Sequence, residues 1–78
     1  MTEVYLKKNS ENRFEAYNVL TDKYEATLTS GNSFMLIPDD EDLEVPGRIE
    51  HCSTYGYYWI DSEDFTRQQL TVGMKGYI

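Results

Sequence analysis

Short runs of alternating apolar and polar residues, separated by polar turn clusters, recur along this chain and predict strands rather than helices. Val4-Tyr5-Leu6-Lys7 and Arg13-Phe14-Glu15-Ala16-Tyr17 flank the turn cluster Asn9-Ser10-Glu11-Asn12 and form a first predicted hairpin. With an odd number of loop residues, Val4, Leu6, Phe14 and Ala16 share one face. After a connection from Asn18 to Asp22, Lys23 to Leu28 alternates so that Tyr24, Ala26 and Leu28 lie on one side of a half-buried strand. Thr29-Ser30-Gly31-Asn32 turns the chain. Phe34-Met35-Leu36-Ile37 is apolar on both faces, the pattern of an interior strand, and Pro38 ends it because proline cannot donate to a ladder. Near the C-terminal end Leu70-Thr71-Val72-Gly73-Met74 predicts a last strand leading through Gly76 to Tyr77-Ile78.

The central prediction is a hairpin over Val45 to Asp61, with Arg48-Ile49-Glu50-His51-Cys52 going up and Tyr57-Tyr58-Trp59-Ile60 returning. Ser53-Thr54-Tyr55-Gly56 supplies the turn, where Gly56 is free to take a positive φ. A two- or four-residue turn pairs Cys52 with Tyr57, Glu50 with Trp59 and Ile49 with Ile60. Ile49, His51, Tyr58 and Ile60 then form a core face, and Arg48, Glu50, Cys52, Tyr57 and Trp59 a rim or binding face. A three-residue turn swaps the parity of the returning strand. Beyond the hairpin, Ser62 is placed to cap one short helical turn, with Glu63 and Asp64 favourable at its positive end.

Together these elements predict an all-β fold: a small antiparallel sheet or SH3-like barrel of about six short strands, with at most one helical turn. Composition agrees, since 40% hydrophobic and 14% aromatic residues are too many for disorder. Seventy-eight residues fit a single domain spanning 1–78. The N-terminal residues lack a signal-peptide pattern, no apolar run approaches a membrane span, and Cys52 has no second cysteine to pair with. A reducing, cytoplasmic setting is therefore the expectation.

Charge narrows the choice of partners. Fourteen acidic residues against seven basic ones give a formal charge of −7, the wrong sign for direct nucleic-acid binding or for an anionic membrane surface. The carboxylates cluster at Asp39-Asp40-Glu41-Asp42-Leu43-Glu44 and again at Asp61, Glu63 and Asp64. Mutual repulsion keeps the first run in a solvated loop. Without the glycine at the sixth position it does not match an EF-hand, so no metal is expected there.

Four segments carry a resemblance: Gly31-Asn32-Ser33-Phe34-Met35-Leu36-Ile37, Val45-Pro46-Gly47-Arg48-Ile49-Glu50, Gly56-Tyr57-Tyr58-Trp59-Ile60 and Gly73-Met74-Lys75-Gly76-Tyr77-Ile78. In this order they resemble a domain-of-unknown-function family of short proteins carried by plasmids, integrative elements and phages of Gram-positive bacteria. The likeness runs from Tyr24 to Ile78, and Pro-Gly-Arg-Ile-Glu followed by Gly-Tyr-Tyr is its most specific part. Glu44 stands where the family tends to carry tryptophan, and Asn32 where aspartate is usual. The resemblance implies a mobile-element origin. It carries no established activity, so it transfers no functional residues.

Catalytic chemistry finds little support. His51 is the sole histidine, and Cys52 beside it points to the opposite face of a regular strand, so neither a zinc site nor a Cys–His pair assembles. There is no phosphate-binding glycine loop and no nucleophile elbow. Of the aromatics, Tyr24 and Tyr58 fit a core. For Tyr57 and Trp59 a core position and an exposed anchor, joined by Tyr55, both remain open. No catalytic residue, metal or cofactor is expected.

The expectation is a small acidic non-enzymatic binding protein whose partner is a protein with a basic surface. In its sharper form it is an inhibitor that occludes a nucleic-acid-binding surface of a host defence protein, of anti-restriction or anti-CRISPR type, its carboxylates standing in for DNA phosphates. Asp39, Asp40, Glu41, Asp42, Glu44, Asp61, Glu63 and Asp64 would supply the charge, and Tyr57 and Trp59 the anchor. The alternative is a general protein–protein adaptor using the aromatic face of the central hairpin.

Overall fold

Five loop residues, Asn9 to Arg13, close the first hairpin, and that odd count aligns its two core stripes. In the computed structural model, which describes residues 1–38 and 43–78, β1 (Glu3–Lys8) pairs antiparallel with β2 (Phe14–Asn18), with Leu6 opposite Ala16. Val4, Leu6, Phe14 and Ala16 are all buried, as their alternation predicts. β2 then pairs with β3 (Tyr24–Thr27), but a bulge interrupts the ladder: Ala16 faces Ala26 while Tyr17 faces Tyr24. The extra residue, Glu25, reverses the parity of the strand, because side chains alternate with period two. Leu28 is buried as expected, whereas Tyr24 is turned to the outer face and is 54% exposed.

The order of the larger sheet is β3-β2-β1-β8-β4, where β4 is Met35–Ile37 and β8 is Lys75–Tyr77. β8 enters between the first strand and the fourth. Gly76 faces Val4 on one side and Leu36 on the other, directly under the Phe34 ring, in a space that admits no side chain. The predicted strand Leu70–Met74 is instead a turn-containing connection, although Leu70 and Met74 are buried. β4 is not an interior strand with two apolar faces. Phe34 and Leu36 are buried while Met35 and Ile37 are half-exposed on the outer face.

The second sheet has the order β5-β6-β7, with β5 at Gly47–Cys52, β6 at Gly56–Asp61 and β7 at Arg67–Gln69. Its hairpin uses a three-residue loop, Ser53-Thr54-Tyr55, with Gly56 at φ 79°. The register therefore differs by one from the favoured alternative. Ile49 faces Trp59, His51 faces Tyr57, Glu50 faces Tyr58, and Ile60 faces Arg48. Ile49 and Trp59 share the core side; Ile60 is buried but on the other face, so the two isoleucines are not cross-strand partners. No helix forms at Ser62. Asp61 caps that turn instead, its Oδ1 accepting from the N–H groups of Glu63 at 2.7 Å and Asp64 at 3.3 Å.

The two sheets are joined along β4. Leu36 and Val45 exchange backbone hydrogen bonds at 2.8 and 2.9 Å, and Phe34 N–H donates to the Gly47 carbonyl at 3.0 Å. The result is all-β, with eight short strands among the described residues rather than six, and β3 and β7 remain free edges, so the barrel is not closed. The core runs between the sheets, from Val4, Leu6, Phe14, Ala16, Leu28, Phe34 and Leu36 to Ile49, Trp59, Leu70 and Met74. No helix among the described residues is long and apolar enough to cross a membrane. Ile49 is fully buried, so Ile49→Ala is expected to cost about 2–4 kcal/mol. A urea titration with an unchanged midpoint would contradict this placement.

Candidate functional site

The charged residues are the first candidates. Asp39, Asp40, Glu41 and Asp42 lie outside the described residues. Glu44 and Glu63 are exposed. Asp61 and Asp64 are committed to the turn into β7. Asp61 serves as described above, and Asp64 Oδ1 accepts from Thr66 N–H at 2.8 Å. Hydrogen bonds from Thr66 hold the Asp64 carboxyl below the usual carboxylate range. Two of the three carboxylates of the second patch thus have a local structural role.

The aromatic anchor is relocated. Trp59 is only 4% exposed, and its indole N–H donates to the Phe34 carbonyl at 2.8 Å. It is core, and a partner cannot reach it. The reason is the hairpin loop: one residue fewer than four turns Trp59 from the rim side to the core side. Tyr57 is half-buried against the same core, with the His51 ring 4.6 Å away and the Arg13 guanidinium 5.0 Å from its centroid. Tyr58, on the opposite face, is half-buried beneath the Arg67 guanidinium at 5.4 Å.

An aromatic face does exist, on the outer side of the five-stranded sheet. Tyr24, Tyr17 and Tyr5 stand opposite one another on β3, β2 and β1, and Lys75 and Ile37 continue the row across β8 and β4. Tyr5 and Tyr17 rings are 6.0 Å apart at 33°, and Tyr17 and Tyr24 are 6.0 Å apart in an edge arrangement at 79°. Lys7 Nζ lies 4.3 Å from the Tyr17 centroid and 5.6 Å from that of Tyr5. Carboxylates hold the phenols: Tyr5 donates to Asp22, and Tyr17 donates to Glu15 at 3.2 Å. The Asp22 hydrogen bond pushes the Tyr5 phenol up, and partial burial followed by the Glu15 charge does the same for Tyr17. The signal was present in the alternation: if Val4, Leu6, Phe14 and Ala16 face the core, then Tyr5, Lys7, Glu15 and Tyr17 face out. Tyr24 joins them only through the bulge.

His51 and Cys52 project to opposite sides of β5, the first beside Tyr57 and the second beside Gly56. The half-buried Cys52 thiol is held below its ordinary range by the backbone N–H groups of Thr54 and then Tyr55. Among the described residues no three His, Cys, Asp or Glu side chains converge on a metal position. Comparison with protein-family models, with curated proteins and with solved structures found no match.

Proposed function

We propose that this protein is a small non-enzymatic binding protein that covers a basic, nucleic-acid-binding surface of another protein. The outer face of the five-stranded sheet is the observation that carries this reading. Tyrosine faces carry negative quadrupole charge, while Asp22 and Glu15 beside them are offset by Lys7 and Lys75 on the same face, so the rings rather than a net formal charge supply the local attraction. The chain's own Lys7, 4.3 Å over Tyr17, occupies the place that a partner's lysine or arginine would take. Each such contact contributes about 0.5–1 kcal/mol when exposed and about 2 when desolvated. The formal charge of −7 steers a cationic partner toward the protein, and the exposed Glu44 and Glu63 add to that field, as does the 39–42 run by its charge alone. The mobile-element origin implied by the resemblance supports a host defence protein, of restriction or CRISPR type, as the target. A plain adaptor would use the same sheet face. The hairpin form of that alternative loses its main anchor with Trp59 in the core.

Replacing the exposed Tyr24 with a photo-cross-linking residue tests the proposal directly. The cross-linked partner is identified, and its affinity for nucleic acid is measured with and without a stoichiometric amount of this protein. Occlusion predicts that nucleic acid is released, and that Tyr17→Ala weakens the complex by about tenfold or more. Association should also slow as salt rises. A partner that binds at this face yet keeps its nucleic-acid affinity would replace inhibition with the adaptor role.

A further inference from the structure

Lys8, Arg13 and His51 meet at one open cleft in a chain dominated by carboxylates. The cleft, of about 720 Å³, lies between the loop end of the β1–β2 hairpin and the loop end of the β5–β6 hairpin. With fourteen acidic residues for seven Lys and Arg, a basic group here should seldom lack an acidic partner. Yet the one ion pair among the described residues is Arg48–Glu50, at 2.7 Å. Lys8 and Arg13 lie over aromatic rings instead, at 5.4 Å from the Phe14 centroid and 5.0 Å from that of Tyr57. His51 is exposed beside the same Tyr57 ring. Glu11 is the single carboxylate lining the cleft.

The walls are held in place before any ligand arrives. Asn9 Oδ1 accepts from the N–H groups of Glu11 at 2.9 Å and Arg13 at 3.0 Å, which fixes the first loop. Arg13 Nη2 donates to the Leu28 carbonyl at 3.1 Å, while its Nε, shielded from water, has no acceptor among the described residues. The Nε is out of reach of the cleft, so it is the outer end of the guanidinium that a ligand would meet. On the other wall Gln69 Nε2 donates to the Tyr55 carbonyl at 3.0 Å. Rigid placement of this kind lowers the ordering cost of binding.

We infer that this cleft binds a phosphate-bearing small molecule of nucleotide size, with Lys8, Arg13 and His51 holding the phosphate and Tyr55 flanking the attached planar group. An arginine fork and a lysine point charge converging on one space suit phosphate oxygens. The volume is that of a small-molecule site. Tyr55, 68% exposed, leaves its ring open to stacking. A long polyanion, whether nucleic acid or acidic peptide, would have to leave the cleft across a surface of like charge. A compact anion does not. The cleft includes none of Tyr5, Tyr17 and Tyr24, so its binding and that of the tyrosine face can fail independently.

The test is an NMR titration of the full chain with three probes: adenosine diphosphate, inorganic phosphate and a glutamate-rich peptide. Adenosine diphosphate should shift Lys8, Arg13, His51 and Tyr55 with sub-millimolar affinity, and phosphate alone should shift Lys8, Arg13 and His51 more weakly. Lys8→Gln and His51→Gln, both at exposed positions, should weaken binding about tenfold each, and Glu11→Gln should tighten it several-fold. The gain at Glu11 is a response that a merely structural cluster would not give. Absence of cleft shifts at millimolar nucleotide overturns the assignment, as do shifts indifferent to all three substitutions. Shifts with the peptide alone also overturn it, in favour of a protein segment.

Discussion

Gly76→Ala is expected to destabilise the fold by about 3 kcal/mol or more, at the top of the range for overpacking and a large share of a small domain's stability. A Cβ at this position falls 2.5 Å from the Met35 carbonyl oxygen and well inside contact of the Phe34 ring. Neither can yield easily. Phe34 is fully buried, and the Met35 backbone belongs to a strand paired with β8 itself. The strand cannot slide away, because β1 holds its other side. Gly47→Ala should behave similarly, since its Cβ would meet the Trp59 indole and the Ile60 carbonyl. Lys75→Ala, one residue from Gly76 but exposed, should stay within about 0.5 kcal/mol of the parent. Urea titration of the three variants gives the comparison. A Gly76→Ala midpoint equal to that of Lys75→Ala would mean that β8 does not lie beneath Phe34.

Trp59→Ala should cost about 3–5 kcal/mol, the usual range for emptying a buried indole-sized space. Two terms contribute. The ring is packed among the buried residues opposite Ile49, and its N–H satisfies the Phe34 carbonyl at 2.8 Å. Trp59→Phe retains most of the burial and loses the hydrogen bond, so about 1–2 kcal/mol is expected from it. Denaturant midpoints give both values, and the emission of the single tryptophan should be blue-shifted in the native state and shift red on unfolding. If Trp59→Ala unfolds within 1 kcal/mol of the parent, by the same order-of-magnitude standard, the indole is not a core group. Binding to a partner, measured on folded Trp59→Phe, should be unchanged. An exposed anchor would have made affinity suffer more than stability.

How far the fold could be read from the chain depended on whether a local rule was in play. The Val4, Leu6, Phe14 and Ala16 face was legible because two alternating runs meet across a short polar loop and only one parity buries all four. The all-β class was legible for the same reason. The Val45–Asp61 hairpin is legible in the chain but its register is not, since both faces of the returning strand carry large side chains. Tyr57 and Trp59 compete with Tyr58 and Ile60, and apolar content alone does not choose between them. The turn decides, and Ser53-Thr54-Tyr55-Gly56 is compatible with more than one loop length. The bulge at Glu25 is invisible to period-two alternation, which puts Tyr24 on the core face when the strand turns it outward. The tyrosine row needs the order of β3, β2 and β1 as well as the bulge. The cationic cleft needs two hairpin ends far apart in sequence to meet, and no local pattern encodes that meeting.

The insertion of β8 between β1 and β4 also bears on the order in which the fold can be made. Glu3 is the pairing partner of Tyr77, so the middle of the larger sheet joins strands from opposite ends of the described chain. Contacts of such sequence separation slow folding toward the millisecond-to-second range, because a long loop must close before they form. On a ribosome adding about 5–20 residues per second, the β1–β3 meander emerges first and waits several seconds for its neighbour. During that interval the edge of β1 and the apolar side of Val4 and Leu6 have nothing against them. How long the meander stays uncovered then depends on how quickly β8 arrives.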